Sequence, residues 1–459
     1  MFKWLFGKSS KTPAAEPKGF AAAGTKTASS QGVSSVAEPG FSTRSVHAGA
    51  KPDPATHARV TPIYQTASYV FDNTDHAANL FGLKEFGNIY SRIMNPTNDV
   101  LEQRVAALEG GAAALAVGSG HAAQHLALYT LLDPGDEVVA ARQLYGGTVN
   151  QFNHAFKHFD WRVVWADPDD TSSFERGVSE KTKAIFIESI ANPGGVITDL
   201  EPIAKIAHDA GVPLIVDNTL ATPYLIRPIE WGADIVLHSA TKFLGGHGNS
   251  IAGVIVDSGK FPWNNGKFPT LTEPNGSYHG LKIWETFGAI SFILATRVLG
   301  LRDLGPALSP FNAFLILTGI ETLPLRIQKH NANALDVARW LQNHPKVSWV
   351  NYAGLEGNPG YALAKKYSPN GAGSVFTFGV KGGFEAGKAL VNSVKLFSHL
   401  ANIGDTRSLI IHPASTTHRQ LSDEQRLRAG AGPEVVRLSI GLEDVSDIIA
   451  DLDQALTAA

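Results

Sequence analysis

The segments VPLIVDNT (212–219) and IVLHSATK (235–242) decide the architecture. Each is a short run of apolar, largely β-branched residues that ends abruptly in polar side chains. Such runs, set a helix apart from one another, read as buried strands of an open, mostly parallel sheet. The carboxyl ends of the strands in such a sheet line the ligand crevice. Asp217 stands at one end, and Ser239, Thr241 and Lys242 stand at the next. An acid and a lysine so placed can face one heterocycle from opposite sides. Asp217 suits a protonated pyridine nitrogen, Lys242 suits an imine to an aldehyde, and the Ser239 and Thr241 hydroxyls suit a phosphate. Together these are the needs of pyridoxal 5′-phosphate. Taken singly, Asp217 would more often cap a turn and Lys242 lie solvated on the surface. Their pairing at strand ends favours the functional reading.

Outward from this pair the pattern repeats. Ala113–Val117, Asp136–Ala141, Arg162–Ala166, Thr182–Glu188 and Gly253–Val256 read as further strands. With Val212–Val216 and Ile235–Ser239 they make seven. Helices are expected at Asn98–Gly110, His121–Leu132 and Leu200–Ala210, the last ended by Gly211. The implied class is α/β, with a seven-stranded, mostly parallel sheet covered on both faces. Phe261–Gly280, rich in Pro, Asn and Gly, reads as irregular, and Leu281–Glu321 as a long apolar helical stretch. A second, smaller α/β unit follows, with helices Asn331–Asn343, Glu385–Val394 and Val445–Leu456. Its strands are Val347–Tyr352, Gly373–Val380 and Val435–Ile440. The expected organisation is a disordered tail (1–40), an N-terminal arm (41–97), a large domain (98–325) and a small C-terminal domain (326–459).

Composition narrows the partners. Hydrophobic residues make up 44% and charged residues 18%, a balance that supports a globular core. A net charge of −3 gives no reason to expect nucleic acid or an acidic membrane. There are no cysteines, which excludes disulfides, thiolate nucleophiles and Cys-ligated zinc and fits a cytoplasmic location. No run reaches the ~18 apolar residues needed to span a bilayer. The first six residues, MFKWLF, are too short for a secretory signal, and the first arginine is Arg44, which argues against a transit peptide. The histidines between residues 237 and 421 form no HxxxH or HxxH pair on a helix, so no metal site is expected.

Other candidates surround the pair. Gly118-Ser119-Gly120-His121 comes between a strand and a helix, where backbone N–H groups can bind phosphate. Alone it would be a tight turn. Tyr145, before Gly146-Gly147, can stack on a ring or simply fill the core. Tyr90 and Arg92 lie in a loop, where the guanidinium can bind phosphate or pair with a surface acid. Arg437, at the start of an apolar strand, wants a carboxylate such as that of an amino-acid substrate.

In order along the chain, YSRIMNPT (90–97), GSGHAA (118–123), LYGGTVNQF (144–152), VDNT (216–219), SATKFLGGHG (239–248) and RSLIIHPASTTH (407–418) resemble the trans-sulfuration family. This is the Cys/Met-metabolism group of fold-type I pyridoxal-phosphate-dependent transferases, and the resemblance runs from about Thr43 to the C-terminus. It implies that Lys242 is the Schiff-base lysine and general base, Asp217 the pyridine-nitrogen partner and Tyr145 the stacking, catalytic phenol. Ser119, Gly120, His121, Ser239 and Thr241 would form the phosphate cup. Tyr90 and Arg92 would complete it from a neighbouring subunit, implying a homo-oligomer, at least a dimer and by resemblance a tetramer. Asn192 would sit beside the cofactor's 3-oxygen and Arg437 would take the substrate carboxylate. Arg407 lies near the substrate in the motif without an assigned role. The family's usual Pro-Thr-Asn-Pro is Ile190-Ala191-Asn192-Pro193 here.

Within the family the KFLGGHG turn, the segment to Tyr278-His279-Gly280, and Gly147 resemble one branch. That branch replaces the acetate of O-acetyl-L-homoserine with sulfide or methanethiol. A cystathionine-forming γ-synthase, a methionine γ-lyase and a non-catalytic cofactor-binding protein are the alternatives. The γ-lyases tend to carry Cys after the Tyr-Gly pair, and this chain has none.

Overall fold

The computed structural model describes residues 38–417, 419, 422–428 and 430–458. The expected tail lies outside them as far as Ala37.

Seven strands form the larger sheet, in the spatial order Ala113–Val117, Gly253–Asp257, Ile235–His238, Leu214–Asp217, Thr182–Glu188, Glu137–Ala141 and Arg162–Ala166. The last five run parallel, and Gly253–Asp257 is antiparallel to both of its neighbours. The strands are short and apolar because both faces are covered: Ile215, Val216, Ile235 and Val236 are fully buried. Each such side chain is worth about 1.5–3 kcal/mol of burial. Helix Gly120–Leu131 starts at an N-cap, where Ser119 Oγ accepts from Ala122 N at 3.1 Å. Helix Pro96–Glu109 is capped by Asn95, whose side chain accepts from Thr97 N, and ends at Gly110 in the left-handed region at φ 79°.

A second sheet has the order Val347–Asn351, Val375–Val380, Val435–Ser439, Leu409–Ile411 and Ser398–His399. It is antiparallel except for the pairing of its last two strands. One continuous apolar core serves both sheets. Helix Leu323–Gln342 begins earlier than the expected Asn331 and crosses residues 325/326 without a break.

The long helix expected over Leu281–Glu321 is broken. It consists of short pieces from Ile283 to Leu304, including a π-helical turn at Thr296–Leu301, followed by helix Pro310–Glu321. Gly288 and Gly305 take positive φ, and Pro306 has no N–H to continue a helix. The break serves the site, because Pro306 O accepts from Gly118 N at 2.8 Å and so holds the turn before Ser119.

Candidate active site

Asp217, Glu188 and His238 are the last residues of three adjacent parallel strands. The turn Gly118-Ser119 follows a fourth strand and Tyr145 follows a fifth. Beside these strand ends lies a cavity of about 230 Å³, closed on the far side by Asn402 and Arg437 of the smaller sheet's region. Ser119, Gly120, His121, Tyr145, Asn192, Asp217, Ser239, Thr241, Lys242 and Arg437 all line it. Ten residues picked from dispersed motifs thus meet in one place.

Lys242 Nζ donates to Asn402 Oδ1 and has no ion-pair partner among the described residues. Burial lowers its pKa, and the nearby Arg437 charge lowers it further. Arg437 is itself 8% exposed. It donates to Asn192 Oδ1 at 3.1 Å and to Asn402 O at 3.2 Å, and no described carboxylate pairs with it. Burial brings its pKa down to about 10. A buried guanidinium without an acid is a site for a ligand's carboxylate.

Asp217 Oδ1 accepts from Thr219 N at 3.0 Å. Burial raises the Asp217 pKa, against the Thr219 hydrogen bonds and the charges of His238 and His121. Across the sheet its register partner is Glu188, 3% exposed. Burial and the Asp217 charge push the Glu188 carboxyl well above the usual carboxylate range. Its Oε1 accepts from Tyr145 N at 2.6 Å and its Oε2 from Asn192 N at 2.9 Å. Tyr145 is 47% exposed at the start of helix Gly146–His154, its ring edge-on to His121 at 5.9 Å.

At the other end of the cavity the first N–H groups of helix Gly120–Leu131 have no partner within the helix and carry its positive dipole end. Ser239 N donates to Thr219 Oγ1 at 2.8 Å, and Thr241 Oγ1 donates to Ala252 O at 3.2 Å. A Cβ on Gly120 would lie 2.7 Å from Ser239 Cβ, so only glycine lets the helix start approach the Ser239 loop this closely.

Three predicted residues lie elsewhere. Tyr90 and Arg92 are exposed, with the guanidinium 5.6 Å from the phenol centroid, and do not line this chain's own cavity. Arg407 is turned outward, pairing with Asp405 Oδ1 at 3.0 Å. Its place in the RSLIIHPASTTH motif does not bring its guanidinium to the cavity. Conversely, Glu188 and Asn402 were not singled out from sequence. Glu188 had a signal, a carboxylate ending an apolar strand as Asp217 does. Asn402 had none, because its contacts are to Lys242 and Arg437, distant in the chain. Among the described residues no acid or histidine cluster could hold a metal, and no helix is long and apolar enough to cross a membrane.

A lysine and an acid at strand ends, a helix N-terminus beside hydroxyls and an unpaired buried arginine define a pyridoxal-phosphate-dependent enzyme of fold-type I. The chain belongs to the Cys/Met metabolism PLP-dependent enzyme family, whose model matches residues 42–457. It is 54% identical over 423 residues to the O-acetyl-L-homoserine sulfhydrylase of Leptospira meyeri, covering 90% of this chain and 96% of the relative. It is 55% identical over 418 residues to O-acetyl-L-homoserine sulfhydrylase 1 of Thermus thermophilus, covering 91% and 99%. A crystal structure of an O-acetylhomoserine (thiol)-lyase from Campylobacter jejuni superposes with a TM-score of 0.88 at 42% identity. That match covers 91% of this chain and 99% of the other, which contains an N′-pyridoxyl-lysine-5′-monophosphate. The cofactor is pyridoxal 5′-phosphate.

Proposed function

We propose that this enzyme exchanges the acetate of O-acetyl-L-homoserine for sulfide or methanethiol, giving L-homocysteine or L-methionine. The observation that carries the reading is near full-length identity above one half with two proteins named for that substrate and reaction. The cavity suits it, since it offers a buried guanidinium without an acid partner among the described residues, Arg437, for an amino-acid carboxylate.

When bound, the cofactor supplies a cationic ring that stabilises negative charge at a substrate carbon. Lys242 would hold it covalently, Asp217 would keep its ring nitrogen protonated, and the Gly120 helix start with Ser239 would take its phosphate. The remaining work belongs to the chain. Arg437, aimed by Asn192 and Asn402, orients the substrate carboxylate and with it the α-hydrogen. Lys242, whose pKa is lowered by burial and by Arg437, gives up its own proton more readily and as the neutral amine removes that proton. It also serves the β-proton, while Tyr145, at the open edge of the cavity, assists departure of acetate from the γ-carbon. Positioned acid–base help of this kind is worth ~10²–10⁴-fold.

Tyr90 and Arg92 belong in this reading to the phosphate cup of a neighbouring subunit; their exposure and separation from their own cavity support it. The active unit is then at least a homodimer, with a tetramer as the assembly. Absence of cysteine supports a cytoplasmic setting.

The test is direct. The loaded enzyme with O-acetyl-L-homoserine and sulfide should release acetate and homocysteine in equal amounts. Lys242→Ala should lose at least ~10³-fold of that rate while still binding the cofactor noncovalently. Full activity in the variant would overturn the assignment of Lys242.

A further inference from the structure

Beneath the cavity floor lies a second polar cluster that the mechanism above does not use. Side chains alternate at the strand ends. Asp217, Thr219 and Ser239 line the cavity, whereas Asn218 and His238 do not and meet Glu109 instead. Glu109 is the last residue of helix Pro96–Glu109. Its Oε1 accepts from Asn218 Nδ2 at 2.8 Å and lies 2.6 Å from His238 Nε2. All three residues are fully buried. Asn218 also donates to Ile226 O at 2.9 Å and accepts from Ser189 Oγ at 2.7 Å, which ties in the loop after Glu188.

The cluster is costly. Glu109 Oε2 and His238 Nδ1 are buried with no hydrogen-bond partner. A buried carboxylate with half its acceptor capacity unmet is a poor way to stabilise a core, and an apolar trio of like volume would serve stability better. What the arrangement does achieve is geometric. One carboxylate oxygen bonds simultaneously to the residue after Asp217 and to the residue before Ser239. Ser239 N, donating to Thr219 Oγ1, makes a second tie above the floor.

We propose that Glu109 is a positioning residue, a latch that fixes the spacing between the strand end carrying Asp217 and the strand end carrying Ser239 and Lys242. The two groups that grip opposite ends of the cofactor are thereby held in register. The inference rests on the cofactor assignment above, but its readouts are separate from turnover.

The experiment compares Glu109→Ala with Glu109→Gln, whose Oε1 can still accept from both Asn218 and His238. Pyridoxal 5′-phosphate affinity, the pH titration of the bound cofactor's visible absorption and thermal unfolding of the cofactor-free protein are measured. Glu109→Ala should weaken cofactor binding by about tenfold or more and shift the absorption midpoint, and Glu109→Gln should recover most of both. Unchanged affinity and midpoint in Glu109→Ala, even with a lowered melting temperature, would mean a structural role only and overturn the proposal. So would a Gln variant as deficient as Ala, since charge and not the double bond would then matter. If Glu109→Ala does not fold, Asn218→Ala cuts the strand link and leaves the His238 contact. It should weaken binding in the same direction, and unchanged binding there overturns the latch. A wild type that fails to bind the cofactor would instead indict the site assignment.

Discussion

Lys242 and Arg437 are two cations in one buried cavity, and their proximity has a sign that can be checked. The base form of Lys242 is the neutral amine, so a lowered pKa extends activity toward lower pH. Arg437→Met removes the second charge. The acid limb of the kcat profile, which reports the substrate complex in which Lys242 is freed to act as base, should move to higher pH, and KM for the amino-acid substrate should rise about 10–100-fold as its carboxylate loses a buried charged partner. A pH–rate profile with an unmoved acid limb would show that Arg437 does not act on Lys242. These two residues, with Asp217, were legible in the sequence because each stands in or just beyond an apolar strand, where a charge is out of place unless it serves a ligand. Glu188 carried the same signal, a carboxylate ending an apolar strand, and was not singled out. Asn402 carried none, because its partners Lys242 and Arg437 are distant in the chain. Arg407 shows the converse: motif membership brought it near in sequence, but the Asp405 carboxylate two residues away turns it outward.

At the scale of elements, every strand of the larger sheet was readable to within about two residues, since buried parallel strands are apolar runs bounded by turns. Leu409–Ile411 and Ser398–His399 were missed as strands because they are too short for alternation to show. The Leu281–Glu321 stretch misled because uniform apolarity carries no period, and the breaks come from glycines at positive φ and a proline. The strand Gly253–Asp257 places a carboxylate at the sheet end away from the cavity. Asp257 Oδ1 accepts from Gly259 N at 2.8 Å, and Oδ2 is buried without a partner. Burial raises its pKa to about 7, above its unfolded value of 3.8. The folded state therefore holds a proton that the unfolded state has released, and stability falls as pH rises from about 4 to about 7. Asp257→Asn should flatten that slope and stabilise the protein by at least about 1 kcal/mol at pH 8. Denaturant melts at pH 5 and pH 8 check it; an unchanged pH dependence would contradict it.

At the scale of the whole molecule, the N-terminal arm leaves Val60, Val70, Phe81 and Phe86 exposed. Tyr90 and Arg92 follow on the same segment, away from their own cavity. If they serve a neighbour's site, an Arg92→Ala protein and a Lys242→Ala protein, each inactive, should regain part of the activity when refolded together. Hybrid oligomers then carry one intact site, and no recovery would place both residues outside catalysis or within their own chain's site. The central claim, however, concerns which acceptor the enzyme serves. The measurement is product analysis of the loaded enzyme given O-acetyl-L-homoserine with sulfide and, separately, with cysteine. Homocysteine as the dominant product with sulfide, and little cystathionine with cysteine, is the predicted result. Cystathionine as the main product would contradict the sulfhydrylase reading while leaving Lys242, Asp217 and Arg437 in their roles.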